Sequence, residues 1–82
     1  MAQILSDKME TYLHDCRLKM GESLKGIREK KGYSQEQLAE KMQISRSTIS
    51  KIENGKFAIS IDYLVKFGLH LNFDIEFIDK LD

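Results

Sequence analysis

The sequence predicts a mainly α fold, a bundle of four to five helices followed by one C-terminal β-strand. Three observations carry that reading. Apolar residues recur at helical spacing over most of the chain, four serines stand where helix N-caps belong, and the period changes to two near the C-terminus. With 82 residues the chain makes one domain. A domain this small buries only about 60–65% of its unfolded surface, so association would help to stabilise it.

The elements follow in order. Leu5, Met9, Tyr12, Leu13 and Cys16 share one face of a first helix. Ser6 is its expected N-cap, with Asp7 and Glu10 in the first turn, where the helix dipole favours acids. Met20, Leu24, Ile27 and Lys31 continue the spacing, so this helix either runs on or restarts near Leu18. Gly21 weakens a continuous helix by about 1 kcal/mol, and Gly32, after Lys30 and Lys31, ends it. Ser34 followed by Gln37 is a capping box, opening a short helix with Leu38, Ala39 and Met42 inward. Ser45 caps the next, with Ile49 and Ile52 inward and Asn54-Gly55 as its stop. Ser60 opens a fourth helix carrying Ile61, Leu64, Val65 and Phe67, closed by Gly68.

Leu71, Phe73, Ile75 and Phe77 then alternate with Asn72, Asp74, Glu76 and Ile78. This reads as a strand over residues 71–78, and the chain holds no second strand to pair with it. Pairing with the same strand of a second copy, across a two-fold axis, would satisfy both backbones. The organisation expected is therefore a helical extension over residues 1–18, a domain over 19–69, and a dimerisation strand over 70–82.

Charge narrows the function. Thirteen cations balance thirteen acids, but unevenly. Residues 17–56 carry ten cations against five acids, while residues 1–16 and 57–82 are net acidic. A basic middle suits a polyanion, because the local field rather than the total charge steers it. Catalysis finds no support. His14 and Cys16 lie on different sides of a helix, His70 has no second ligand nearby, and no glycine-rich phosphate loop is present. The single cysteine excludes an internal disulfide and a multi-cysteine zinc site. No cofactor and no metal is expected. No apolar run approaches the roughly 20 residues of a membrane helix, and no leader is visible, so the expected setting is cytoplasmic.

The strongest signal is the pair of short capped helices, residues 35–42 and 46–54, joined by Gln43-Ile44. Ala39 is small where two crossing helices must approach. On the second helix Arg46, Ser47, Ser50, Lys51 and Asn54 share an arc of about 140°, with Ile49 and Ile52 opposite. That polar, basic and small-residue arc suits a helix set deep in a major groove.

Residues 21–68 resemble the Cro/cI (Xre) family of helix-turn-helix DNA-binding domains, whose fold is the lambda-repressor-like bundle. The resemblance rests on Gly21-Glu22-Ser23-Leu24, Arg28, Gly32, Ser34-Gln35, Leu38-Ala39 and the run from Ser45-Arg46-Ser47-Thr48 through Asn54-Gly55-Lys56. It implies that Arg46, Ser47 and Lys51 read bases, and that Gln35, Asn54 and Lys56 contact phosphate. Thr48 and Ser50 suit either role and are assigned to phosphate and base respectively. It also implies that Arg28 pairs with Glu53 in a structural role.

The chain departs from the family pattern in three places. Gln43 stands where the turn usually has glycine, Ile59 where proline often precedes the fourth helix, and the alternating segment replaces a fifth helix. That last segment, with Leu71, Phe73, Ile75 and Phe77 as its dimer face, is similar to the tails of HipB-like antitoxins. The function implied is a homodimeric, sequence-specific repressor on double-stranded operator DNA, with a toxin protein as a candidate partner and no membrane. The alternative is a module that keeps the fold but binds a partner protein through its strand.

Overall fold

The computed structural model describes residues 2–56 and 58–81, with side chains described from residue 7 onward. Among these described residues it contains four α-helices: α1 (Ala2–Lys30), α2 (Gln35–Met42), α3 (Arg46–Glu53) and α4 (Ile61–Leu71). The expected cap Ser6 and stripe residue Leu5 fall among the side chains outside the described residues. Position 6 is nonetheless inside α1, so the helix does not begin there.

α1 does not restart near Leu18. It is one helix of 29 residues, running straight through Gly21. At 1.5 Å per residue it is about 43 Å long, close to the longest dimension of the molecule, 46 Å. The helical penalty at Gly21 is accepted because a side chain there would collide with α3. None of the four helices is long and apolar enough to cross a membrane, among the described residues.

Serine caps begin the other three helices. Ser34, Ser45 and Ser60 hold extended backbone angles, and each side chain accepts the N–H three residues on. At Ser34 the box closes both ways, since the Gln37 side chain accepts the Ser34 N–H at 2.8 Å.

All four helices end alike. Gly32, Gln43, Gly55 and Asn72 have positive φ. The N–H of the next residue then bonds back five positions: Tyr33 to Arg28, Ile44 to Ala39, Lys56 to Lys51 and Phe73 to Gly68. These are Schellman closures, which occupy the orphan carbonyls of a helix end.

α3 packs against α1 and α2, and α2 against α4. The core between them is Leu24, Leu38, Ala39, Met42, Ile49, Ile52, Phe67 and Leu71.

At the C-terminus the structure departs from the expected strand. Gly68 does not stop α4, which runs on to Leu71 and carries His70 in its last turn. Gly68 is instead the point of closest approach to the returning chain, because a Cβ there would lie 2.7 Å from the Phe73 carbonyl oxygen. Leu71 is buried in the core, and half-buried Phe73 packs against it. Two of the four residues expected on the dimer strand are thus occupied within their own chain. Among the described residues no strand is present, and residues 73–81 carry no regular secondary structure. A strand needs a backbone partner, which one copy does not supply. Ile75 and Phe77 remain exposed.

Candidate nucleic-acid interface

α3 is oriented from beneath. Ile49 and Ile52 are buried against α1 and α2, which fixes the rotation of the helix about its axis. Arg46, Ser47 and Lys51 are consequently exposed on the outer side, with Thr48 and Ser50 half-buried at its margins. The first turn of α3 contains no acidic residue. Its unpaired N–H groups and the positive end of its dipole therefore add to Arg46 rather than cancel it.

The small polar residues divide between capping and exposure. Ser45 Oγ accepts the Thr48 N–H at 3.1 Å and lies 2.7 Å from Thr48 Oγ1, so the Thr48 hydroxyl belongs to the cap. Asn54 Nδ2 donates to the Ser50 carbonyl at 2.8 Å and lies 3.4 Å from Ser50 Oγ. Asn54 thus closes the end of α3, with its side-chain amide turned back onto Ser50. Its neighbour Lys56 is exposed, with its backbone N–H bonded to Lys51.

Glu53 ends α3 on the opposite side and is tied down by three donors. Arg28 Nε donates to its Oε2 at 2.7 Å, Arg28 Nη2 to its Oε1 at 3.0 Å, and Gln35 Nε2 to the same Oε1 at 3.0 Å. Arg28 Nη1 reaches the Tyr33 carbonyl at 2.7 Å. The two charged side chains are only 7% and 2% exposed, so this is a buried, bidentate pair. The hydrogen bond to Glu53 is the main reason that the Arg28 pKa is raised, against the opposing effect of burial.

Gln35, expected at phosphate, spends its side-chain amide on this cluster and is half-buried. Its backbone N–H stands in the first turn of α2, where no intrahelical carbonyl is available to it.

The structure therefore joins α1, α2 and α3 at one carboxylate and leaves Arg46, Ser47, Lys51 and Lys56 outward. Reading the sequence missed the third donor, Gln35, and the Tyr33 carbonyl. The signal for the carbonyl was present, because a helix stop at Gly32 folds the next peptide back over the last turn. It also missed what Gly21 and Gly55 do. A Cβ on Gly55 would lie 3.0 Å from the Leu18 backbone nitrogen. Lys41 covers the Tyr33 ring at 5.5 Å, a cation–π contact that finishes the outer side of α2.

Comparison with known proteins adds three findings. The profile of the helix-turn-helix family matches residues 24–78, which spans α2, α3, α4 and the end of α1. Over 46 residues, 56% of this chain, the sequence is 41% identical to a Pyrococcus furiosus protein named as an HTH-type transcriptional regulatory protein. That stretch is only 15% of the archaeal protein, so the chain spans a small part of its length. No solved structure matches the chain.

Proposed function

The chain belongs to the helix-turn-helix family, and from that premise we propose that it is a homodimeric, sequence-specific transcriptional repressor acting on double-stranded operator DNA. The observation that carries the proposal is the outer side of α3. It is small, polar and basic, its rotation is fixed by Ile49 and Ile52, and no acid shares its first turn. Arg46 at the N-terminal end suits two hydrogen bonds to guanine O6 and N7, while Ser47, Ser50 and Lys51 complete the base-reading arc. Lys56, Asn54 next to it at the end of α3, Thr48 beside the cap, and the free backbone N–H of Gln35 form the phosphate contacts. Arg28 and Glu53 act structurally, by holding α3 against α1.

The tail supplies the dimer. Ile75 and Phe77 are exposed, Phe77 to 99%. An apolar segment of this kind, with Asp74 and Glu76 alternating with the apolar residues, suits pairing with its copy. Two-fold pairing would set two recognition helices about one DNA turn apart, roughly 34 Å. The same exposed tail favours a second reading, in which it is added to a partner protein such as the toxin of an antitoxin pair.

The deciding experiment selects duplexes from a random library with the full chain, then measures affinity across salt. A repressor enriches one sequence, and its log affinity falls linearly with log salt as counterions are released. No duplex binding at low salt would overturn the repressor and leave the protein-binding module.

A further inference from the structure

α1 outruns the part of the chain it helps to build. From residue 7 to residue 15 every side chain is exposed. Yet Met9, Tyr12, Leu13, Cys16 and Met20 fall within an arc of about 100° on this half of the helix. Met9 is 57% and Tyr12 65% exposed, which is a large apolar share for side chains aligned in one stripe. The stripe runs on toward the core, since Met20 borders a crevice with Arg17, Gly21, Ile52 and Ile59.

We infer that this stripe pairs antiparallel with the α1 of a second copy. The positions carry the register. Met9, Leu13, Cys16 and Met20 alternate by four, three and four residues, the spacing of a coiled-coil seam. Laid antiparallel about a two-fold axis, Met9 meets Met20 of the second copy, and Leu13 meets its Cys16. The symmetry repeats both layers, so four layers form from one match.

The flanks are complementary in the same register. Glu10 and Arg17 are seven residues apart and lie on one edge of the stripe. Antiparallel pairing sets Glu10 beside Arg17 of the second copy, twice over. Tyr12 and Lys19, also seven apart, occupy the other edge and meet as ring and ammonium. A parallel pairing would instead set each edge of the stripe beside the other edge of the second copy, so that Glu10 would lose Arg17 as its partner. Charge thus selects both the occupant, a second copy, and its direction. This contact is separate from the tail and from the DNA-facing side of α3, and it doubles whatever unit carries it.

The test is sedimentation of the full chain over a concentration series, with E10R, R17E and the double variant E10R/R17E. Each single reversal should raise the dissociation constant of this contact roughly tenfold, because two attractive pairs become repulsive. The double variant restores both pairs and should return to within about threefold of the parent. Equal dissociation constants for all four chains, a double variant weaker than either single, or a parent that never self-associates would overturn the proposal. Because Arg17 also borders the core, a second measurement uses Leu13→Cys. With Cys16 of the second copy it should give a covalent dimer under mild oxidation, while the parent, with Cys16 alone, should not. Equal cross-linking of the two would overturn the register.

Discussion

Gly21 of α1 rests directly on the backbone of Glu53 in α3: a Cβ at position 21 would stand 2.5 Å from the Glu53 carbonyl oxygen. Two turns further along the same face of α1, Arg28 grips the Glu53 side chain at 2.7 Å. One residue of α3 is thus held at its main chain by an absent side chain, and at its carboxylate by a long one.

Two glycines within α1 should therefore respond oppositely to the same change. Gly21→Ala forces its methyl into the carbonyls of Ile52 and Glu53 and should cost about 1–3 kcal/mol or more. A Cβ on Gly26 would meet nothing within 4 Å, so Gly26→Ala should stabilise by about 0.5–1 kcal/mol. Thermal unfolding of both variants checks this; a Gly21→Ala that stabilises would mean α1 and α3 are not in close contact.

Arg28→Ala and Glu53→Ala should each cost about 3–5 kcal/mol, since each leaves a buried charge unpaired. Gln35→Ala removes one donor from a half-buried site and should cost less, about 1–2 kcal/mol. A double-mutant cycle on Arg28 and Glu53 should show coupling well above the roughly 0.2–1 kcal/mol of exposed pairs. Because the pKa of Arg28 is raised, its share of the stability is complete below the ordinary arginine value and lost only above it. The Arg28→Ala deficit should therefore stay constant from neutral to mildly alkaline pH. A deficit that shrank over that interval would contradict the assignment.

Much of this was legible because it is local. Ser34, Ser45 and Ser60 begin helices through hydrogen bonds reaching three residues, which a sequence states outright. The continuity of α1 was not legible, because the reason for Gly21 lies 32 positions away at Glu53. The end of α4 was misread for a related reason. Gly68 looks like a stop, but its missing side chain makes room for Phe73 to return over the helix. Leu71 also fits two periods at once, as the last helical core position and the first of an alternating run. Only packing decides between them. The outward residues Arg46, Ser47 and Lys51 follow from Ile49 and Ile52, so that side of the candidate site could be drawn from periodicity alone.

Gln43 occupies a left-handed conformation, φ 56°, that costs a non-glycine residue about 1 kcal/mol. Gln43→Gly should therefore raise stability by about that amount. Asn72, at φ 61°, tolerates this region better, and Asn72→Gly should gain less. Chemical denaturation measures both; a loss at position 43 would show that the glutamine side chain contributes more than its backbone strain removes.

On DNA, Arg46→Ala should lose preference for the selected duplex while keeping most of its affinity for random sequence. The discrimination at stake is about 1–3 kcal/mol. Lys56→Ala should weaken all duplexes alike and reduce the salt slope by about one. Equal losses by Arg46→Ala on selected and random duplexes would remove it from the base-reading set.

Removing the tail tests the proposed dimer, provided the cut respects the core. A cut after Gly68 would delete Leu71 and Phe73 from the packed interior, so the truncation belongs after Phe73. The shortened chain should keep its helical content, sediment at half the parent mass and lose most operator affinity. An unchanged mass would exclude the tail as an interface.

The uniform way in which the helices end bears on how quickly the chain folds. Each boundary is closed by a hydrogen bond spanning five positions, so it forms without waiting for any distant partner. What must wait is the docking of α1 on α3, and the Arg28–Glu53 separation of 25 positions is a short loop to close. Helical chains with contacts this local fold in roughly microseconds to milliseconds. Synthesis of a chain this length, at about 5–20 residues per second, takes several seconds. The ribosome, rather than the search for the native state, sets the pace at which finished copies arrive.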